Sequence, residues 1–530
     1  MTATTATDPT HETSEPDRFW TTVNALEATP LVLTAMDWTF WKKSLELAAM
    51  RAWSDLGIVA PDEVVFVDDA NQRVTASFLG RQAVNIDRVR WIMGSLPGTS
   101  GDDIERDLFG EVRPGIVDPP RTVSKLAMAR GFPRSLRRHS SDVAAFRAAT
   151  FAWWQPRVGD EPPGSPSRRL LEATQRFEDA QHLHIRGRSL LQGLGAQVQE
   201  TATSVGRDDL VAALTSGVGE MEETRVVDDL WGVAHGELDL SAFLARHGYH
   251  GHGEGNISAT VWREDPSQVE RLLGAYADVP ASGRPTARSE VTRQAREAAV
   301  AELMAALPRG KRRITGWLIN KAVELTRDLE VSKAAFLMAI DSGRAAVRQR
   351  GAELVAAGAI DASEDVLHLT IDEATAADVG EVRALIAARR QVHAYHRTVR
   401  PPDKWTGNPE AESLAGAGGQ RDSLDGVAGS PGKVEGLARV VTDPGTDEPP
   451  APGEILVCAM TDPSWAPMLV MAEGLVIDIG GPASHGAIVA RELGVPCVIN
   501  TETGTTDINT GDRLIVDGSK GTVEIVERAS

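Results

Sequence analysis

A histidine in a glycine-rich stretch is the residue with the clearest chemical potential in this sequence. His485 follows Gly480, Gly481 and Ser484, and the apolar periodicity of residues 486–493 predicts a helix directly after it. A helix N-terminus presents unpaired N–H groups and a partial positive charge, and both stabilise a phosphate. An imidazole placed there can accept a phosphoryl group as a nucleophile while the helix end holds the oxygens. The alternative is a histidine packed in a strand-to-helix loop.

The residues around His485 resemble the phosphohistidine swivelling domain of the phosphoenolpyruvate-utilising enzymes. The resemblance covers about residues 430–526 and extends from the His485 loop to four flanking segments: Thr461-Asp462-Pro463-Ser464-Trp465, Gly474-Leu475-Val476, Gly494-Val495-Pro496-Cys497-Val498 and Gly511-Asp512-Arg513-Leu514-Ile515-Val516-Asp517-Gly518. His485-Gly486-Ala487 is closer to the rifampin phosphotransferase branch of the family. The resemblance implies that His485 takes the phosphate and that the residues around it bind the phosphate or position the loop: Gly480, Gly481, Ser484, Gly486 and Arg491.

One residue of the loop departs from the family pattern. Ala483 stands where many relatives carry a hydroxyl two places before the histidine. This removes one potential hydrogen bond to phosphate and leaves the nucleophile unchanged.

The N-terminal part resembles the substrate domain of rifampin phosphotransferase-like proteins. The landmarks follow in the expected order: Thr34 with Asp37-Trp38, Gly80-Arg81 with Asn85, Leu96-Pro97-Gly98, Leu108-Phe109-Gly110, Phe243 to Gly251 with Glu254, Trp262 before Glu264-Asp265-Pro266, and Glu364-Asp365-Val366 with Leu369-Thr370. The resemblance implies an acceptor domain for a small hydroxylated organic substrate.

A lysine in that part matches a phosphate-handling signature only partly. Rifampin phosphotransferases carry Arg-Glu-x-x-Lys on a helix, where two cations can clamp a phosphoryl group in transfer. Here Glu330 and Lys333 fit, but Leu329 occupies the arginine position. Lys333 is therefore predicted to neutralise charge during delivery, with a solvated helix face as the alternative.

The histidines of residues 247–254 allow three interpretations. His247, His250 and His252 lie with Glu254 among glycines, so the segment is predicted to be a loop. It could bind a metal, form part of a substrate pocket with His250 as the base that receives a hydroxyl proton, or be a plain polar loop. We predict no metal site, and a pocket with His250 is favoured.

The tryptophans before residue 401 also allow two interpretations. They could line an apolar pocket for a bulky hydroxylated ligand, or they could be ordinary core aromatics. The residues concerned are Trp38, Trp41, Trp91, Trp153, Trp154, Trp231 and Trp317.

Composition limits the class of protein. The 530 residues are 42% hydrophobic and 25% charged, which is typical of globular domains. The net charge of −20 argues against nucleic acid or an anionic membrane as a partner. The two cysteines, Cys458 and Cys497, are predicted to be buried and unpaired, and the sequence indicates a cytoplasmic protein.

The predicted fold class is multi-domain: a large, mainly α-helical N-terminal domain followed by a C-terminal swivelling β/β/α phosphohistidine domain. Residues 1–17 are predicted to be a disordered tail, 18–400 the helical substrate domain, 401–429 a flexible Gly-, Pro- and Ser-rich linker, and 430–530 the phosphohistidine domain. A β-like portion is predicted within residues 63–86, including Val64–Val67.

The leading hypothesis is a phosphotransferase component that passes phosphate from an ATP-grasp partner to a hydroxyl of a small organic molecule. No nucleotide-binding half precedes residue 18, so ATP and Mg²⁺ are expected on a separate ATP-grasp subunit, and no cofactor is assigned to this chain. One alternative is a diverged relative that has lost phosphotransfer and binds or converts a hydrophobic metabolite. A third is a non-catalytic phosphocarrier or regulator.

Overall fold

The computed structural model of the protein describes residues 8–23, 25–94, 99–109, 112–119, 121–214, 218–219, 222–277, 284–414, 421–481 and 484–529. Pro482 and Ala483 of the histidine loop therefore lie outside the described residues. Within the ranges described, no helix is both long enough and apolar enough to cross a membrane.

Helices dominate the chain up to residue 396. They are α1 (Ala25–Ala28), α2 (Ala35–Asp55), α3 (Ile86–Met93), α4 (Gly101–Phe109), α5 (Lys125–Val158), α6 (Pro166–Thr203), α7 (Val211–Leu214), α8 (Glu222–Ala234), α9 (Leu240–His247), α10 (Ser267–Tyr276), α11 (Pro285–Ala306), α12 (Arg309–Ala356), α13 (Ile371–Thr375) and α14 (Arg383–His396). Three more follow in the C-terminal part: α15 (Ala466–Met471), α16 (His485–Leu493) and α17 (Gly504–Asp507).

The first hydrophobic core forms where α2, α5, α6 and α12 pack together. Helix α2 begins at a capping box, because the hydroxyl of Thr34 accepts from the Asp37 N–H and the Asp37 carboxylate accepts from the Thr34 N–H. Trp41, Phe177 and Phe336 come from three of these helices and meet through edge-to-face ring contacts. This core fixes α12, which carries Lys333.

Fourteen short strands occur among the described residues. They are β1 (Phe19–Thr21), β2 (Thr75–Phe78), β3 (Arg81–Asn85), β4 (Val399–Arg400), β5 (Lys404–Thr406), β6 (Glu412–Ser413), β7 (Ser423–Asp425), β8 (Val427–Ser430), β9 (Lys433–Val441), β10 (Glu454–Cys458), β11 (Gly474–Ile477), β12 (Cys497–Ile499), β13 (Arg513–Asp517) and β14 (Thr522–Glu527). A small sheet has the order β2-β3-β1-β5, and β4 pairs with β6.

The C-terminal part is built on one eight-stranded mixed sheet. Its order is β7-β14-β13-β9-β10-β11-β12-β8, in which β9, β10, β11 and β12 are parallel to one another and the remaining pairs are antiparallel. Crossover segments with α15 and α16 connect these parallel strands, as parallel pairing requires. The predicted fold class, a large helical region followed by a C-terminal α/β domain, is confirmed.

A second hydrophobic core spans the two parts of the protein. Apolar residues of α8, α9 and α10 form one buried cluster with residues of α15, α16 and the C-terminal sheet. The Tyr276 hydroxyl donates to the Pro467 carbonyl at 2.7 Å, and the Gln268 amide donates to the Pro444 carbonyl at 3.2 Å. The two parts therefore share apolar surface as well as polar contacts.

Two expectations about connecting segments need correction. Residues 8–17 of the predicted disordered tail are ordered, because the Glu12 carboxylate pairs with Arg73 and the Glu12 N–H donates to the Ser77 carbonyl at 2.8 Å. The predicted linker, 401–429, contains β5, β6 and β7 and the first residues of β8, which are paired in sheets. The boundaries at 18, 401 and 430 stay predictions.

Two further expectations differ from the structure. Val64–Val67 form no strand, and only β2 and β3 occupy the predicted β-like portion. The seven tryptophans line no common pocket: Trp38, Trp41, Trp153 and Trp154 belong to the first core, Trp231 to the second and Trp91 to a third, whereas Trp317 is 48% exposed. The core interpretation is therefore correct for most of them. Cys458 and Cys497 are buried and unpaired, as predicted.

Candidate functional site

The His485 loop begins where strand β11 ends. Asp478 accepts hydrogen bonds from the Thr501 hydroxyl at 2.8 Å and the Thr505 N–H at 3.0 Å, which hold the start of the loop. The Ser484 N–H donates to the Gly481 carbonyl at 2.9 Å, and the Ser484 hydroxyl caps α16 by accepting from the Ala487 N–H. The helix ends at Gly494, whose φ of 67° is left-handed. Local chemistry therefore places His485 at the first position of a capped helix.

The imidazole of His485 has a polar side chain close to each ring nitrogen. Nδ1 lies 3.1 Å from the Thr461 hydroxyl, and Nε2 lies 3.1 Å from a carboxylate oxygen of Glu223 in α8. The backbone N–H of His485 donates to the Glu27 carboxylate at 3.1 Å. His485 is only 9% exposed and faces the helical part of the protein, since both glutamates come from that part.

Lys333 joins this group through Glu223. Its ammonium contacts the same Glu223 oxygen that faces His485, at 2.5 Å, and it lies 3.4 Å from Glu330 on its own helix. The structure thus brings the two predicted residues, His485 and Lys333, to the same oxygen of one carboxylate. We call the six residues Glu27, Glu223, Glu330, Lys333, Thr461 and His485 the His485 site.

Burial of three carboxylates in one place shifts their proton affinities in different directions. Burial raises the pKa of Glu27 to about 7. Burial and the nearby Glu223 charge also raise the pKa of Glu330 to about 7. Burial would raise the pKa of Glu223 too, but the charges of His485 and Lys333 outweigh it and hold that pKa well below its usual range.

The two bases of the site stay protonated more readily than usual. Burial alone would lower the pKa of Lys333 and of His485, but the Glu223 carboxylate outweighs it and raises both. An ion pair between the imidazolium and Glu223 is therefore favoured.

These shifts predict that the contact between the C-terminal domain and the helical part weakens as pH rises. Glu27 and His485 meet across the docked contact, and both have raised pKa values there, so each contributes stability below its ordinary pKa and loses it as pH passes the raised value. The other charged or titratable groups within electrostatic reach are Glu223, Glu330, Lys333, Arg188 and Glu254, together with His184, whose pKa burial lowers to about 3. We expect the fraction of molecules in which the C-terminal domain is separated from the helical part to rise about tenfold between pH 6 and pH 8.

Energy transfer between dyes on cysteines introduced at the exposed residues Gln175 and Glu524 would measure that fraction. The native cysteines are buried, and burial raises the pKa of the Cys497 thiol to about 12, which protects it from labelling. A separated fraction that is constant, or that falls as pH rises, would contradict the prediction.

Gly486 is needed for packing. A Cβ at this position would lie 2.4 Å from Cδ1 of Ile477 and 2.9 Å from the Thr461 hydroxyl. We therefore expect Gly486→Ala to lower the free energy of unfolding by about 1–3 kcal/mol and to displace Thr461 from the imidazole. Urea titration would measure the change. Gly195→Ala, in a helix where a Cβ meets nothing within 4 Å, is the matched control and should be neutral or stabilising.

The other predicted loop residues have different surroundings. A Cβ at Gly480 would lie 3.1 Å from the Ser484 hydroxyl, so this glycine lets the loop fold closely over the helix start. Burial lowers the pKa of Arg491, and the charges of Cys497 and Glu492 act on it in the opposite direction. The phosphate-binding roles of Gly480, Gly481, Ser484, Gly486 and Arg491 stay predictions.

The histidines of residues 247–254 contact three different carboxylates. His247 pairs with Asp229 at 2.8 Å, His250 with Glu254 at 2.7 Å, and His252 with Asp462 at 3.4 Å. Among the described residues, no group of three or more His, Cys, Asp or Glu is arranged to hold a metal ion. The three imidazoles thus do not converge.

This loop nevertheless borders the His485 site. Asp462, which follows Thr461, also accepts from the Gly253 N–H at 3.2 Å, so the loop is tied to the C-terminal part. Glu254 lies within electrostatic reach of Lys333. His250 is buried, and no contact of the described residues joins it to His485, so its role as a base stays a prediction.

Two segments of the chain match known protein families. Residues 450–521 match the mobile domain of PEP-utilising enzymes, and residues 236–329 match the fourth domain of rifampicin phosphotransferase. A rifampicin phosphotransferase of a Streptomyces species is 33% identical over 347 residues, which cover 63% of this chain and 39% of that enzyme. The chain is similar to rifampicin phosphotransferases over these segments.

Other relatives have similar levels of identity. The prodigiosin synthesizing transferase PigC of Serratia marcescens is 32% identical over 308 residues, covering 55% of this chain and 34% of that protein. The rifampicin phosphotransferase of Bacillus subtilis strain 168 is 29% identical over 304 residues, covering 53% and 34%. These matches span less than two fifths of each relative's length. The resemblance predicted from the His485 loop and the N-terminal landmarks is confirmed.

Proposed function

We propose that this protein transfers a phosphoryl group through His485 to a hydroxyl of a small organic molecule. The observation that carries the proposal is the placement of the imidazole: His485 is the first residue of helix α16 in the C-terminal domain, and its ring shares one oxygen of Glu223 with Lys333 of the helical part. A histidine with this placement can receive phosphate in one position of the domain and deliver it in another.

The two ring nitrogens have separable roles in this proposal. Thr461 fixes the ring through Nδ1, so that Nε2 points toward the helical part in the docked arrangement. At the donor, Nε2 gives up its proton and forms a bond to the γ-phosphorus of ATP while the bond from that phosphorus to the ADP oxygen breaks, so ADP leaves. The bond from Nε2 to phosphorus breaks in turn when the acceptor oxygen attacks. The proton of the acceptor hydroxyl passes to a nearby carboxylate or to His250, and the released imidazole can then take up a proton.

Lys333 supplies the positive charge that the transferred group needs. Metaphosphate-like transition states spread negative charge over three oxygens, and a fixed ammonium stabilises that charge. The position of the signature arginine is occupied by Leu329, which is 9% exposed and apolar. Arg188 of α6 is exposed and acts on Glu27 and His184 only through its charge, so Lys333 is the cation in direct contact with the site.

ATP and Mg²⁺ belong to the donor half of the proposed reaction. We propose that an ATP-grasp protein, on a separate polypeptide, phosphorylates His485. The acceptor is a small hydroxylated molecule bound by the helical part.

The labelling experiment tests the proposal directly. The chain is incubated with a candidate ATP-grasp partner, Mg²⁺ and ATP labelled in its transferable phosphate. We expect one label per chain, on His485, with the acid lability and base stability of a phosphoramidate. Label on a serine or threonine, or none with any candidate partner, would sink the proposal.

A second candidate function is favoured by one observation. Glu223 occupies the position beside Nε2 where a phosphoryl group would sit, which suits a relative that has lost phosphotransfer. Such a protein would bind its metabolite equally well in the wild type and in His485→Ala.

A further inference from the structure

The His485 site holds more negative than positive charge. Three carboxylates, those of Glu27, Glu223 and Glu330, surround one ammonium and one imidazole. Even when His485 is protonated, full ionisation of the carboxylates would leave a net charge of −1. Glu223 and His485 are buried, and Glu27, Glu330 and Lys333 are half-buried, so solvent screens these charges only partly.

Adding a phosphoryl group to His485 would replace its electrostatic attraction to Glu223 by a repulsion. The Glu223 oxygen lies 3.1 Å from Nε2, which is where the new bond to phosphorus would form. A dianionic phosphoryl group there would displace the carboxylate and meet its negative charge. The second carboxylate, Glu27, already occupies the helix N–H that would otherwise bind a phosphate oxygen.

The cations within reach are too few to compensate for this change. Lys333 is already paired with Glu223 and Glu330, and the buried His184 is neutral because burial lowers its pKa to about 3. Arg188 is exposed, and Glu254 adds a further negative charge within reach of Lys333. The neighbourhood therefore favours an imidazolium over a phosphohistidine.

From these contacts we infer that the docked arrangement is selective for unphosphorylated His485, and that a phosphoryl group on Nε2 weakens the contact between the C-terminal domain and the helical part. Glu223 is the residue that distinguishes the two forms. The inference rests on the proposed function, since it assigns this arrangement to the moment after phosphate has left. Phosphorylated His485 would dock against the helical part only when a bound acceptor and its hydroxyl proton compensate for the added negative charge.

The inference can be tested without any partner protein. Phosphoramidate phosphorylates imidazole: a bond from nitrogen to phosphorus forms, ammonia leaves, and it takes up the imidazole proton. The chain labelled with dyes at Gln175→Cys and Glu524→Cys is treated with potassium phosphoramidate, and mass spectrometry gives the occupancy at His485. We expect phosphorylation to raise the ratio of separated to docked molecules about tenfold or more.

Three variants test whether the charge of Glu223 causes the separation of phosphorylated molecules. Glu223→Gln keeps the size of the side chain and removes its charge, and it should reduce the effect of phosphorylation to about threefold or less. Glu364→Gln, an exposed residue of the helical part, is the matched control and should respond as the wild type does. His485→Ala should show no response to phosphoramidate.

Two results would overturn the inference. One is an unchanged or smaller separated fraction in the phosphorylated wild type. The other is an equal response of Glu223→Gln and Glu364→Gln. Either result would contradict this inference but not the proposed function. The proposed function fails only if ATP and a partner do not label His485.

Discussion

His485→Ala should abolish transfer of phosphate from ATP to the acceptor. Because the imidazole forms the covalent intermediate in our proposal, its loss should lower the rate of product formation by about 10³-fold or more, on the scale seen when a nucleophile is removed. The label from ATP should also disappear from the chain. Product analysis by mass spectrometry with the donor partner present would measure both.

Loss of a buried imidazole could also change the fold. His485→Gln keeps a polar group within reach of Thr461 and Glu223, so it serves as the control for structure. It should unfold at the same urea concentration as the wild type and still be inactive. An active His485→Gln, or full activity in His485→Ala, would show that phosphate does not pass through this residue.

Lys333→Met should lower the rate of delivery to the acceptor by about 10²–10³-fold, the range for removal of one group that stabilises developing charge. Labelling of His485 by ATP should change far less, because Lys333 lies in the helical part and not in the mobile domain. The comparison of label formation with product formation therefore separates the two half-reactions.

Lys333→Met also leaves Glu223 and Glu330 without their ammonium, which would destabilise a buried site. The double variant Lys333→Met with Glu223→Gln removes the uncompensated charge. If this variant regains stability but not the rate of delivery, the ammonium acts on the reaction. If the rate recovers with the stability, Lys333 is structural.

The sequence predicts the inner strands of the C-terminal sheet more completely than its two edge strands, β7 and β8. Alternating β-branched runs indicate β9 to β14, and all six are present with longer bounds. Strands β7 and β8 are missed, since Ser423–Asp425 and Val427–Ser430 are short and together contain only one β-branched residue, Val427. They are strands because neighbours in the sheet pair with them, which a local pattern does not reveal.

The candidate site is predicted only in part, for a similar reason. His485 and Lys333 stand in recognisable local patterns, and the structure brings them close. Glu223 is missed because an acidic residue at a helix start is ordinarily explained by the helix dipole. Glu27 is missed because it contacts a residue 458 positions away. Contacts at such distances depend on how the two parts dock.

The hydrophobic cluster that spans α8–α10 and the C-terminal sheet has a consequence for timing. Under the proposed function, each movement of the C-terminal domain away from the helical part would expose this apolar interface to water, which favours the docked form over the separated one. In a phosphotransferase built this way, the turnover rate would depend more on how often this interface opens than on the rate of phosphoryl transfer itself.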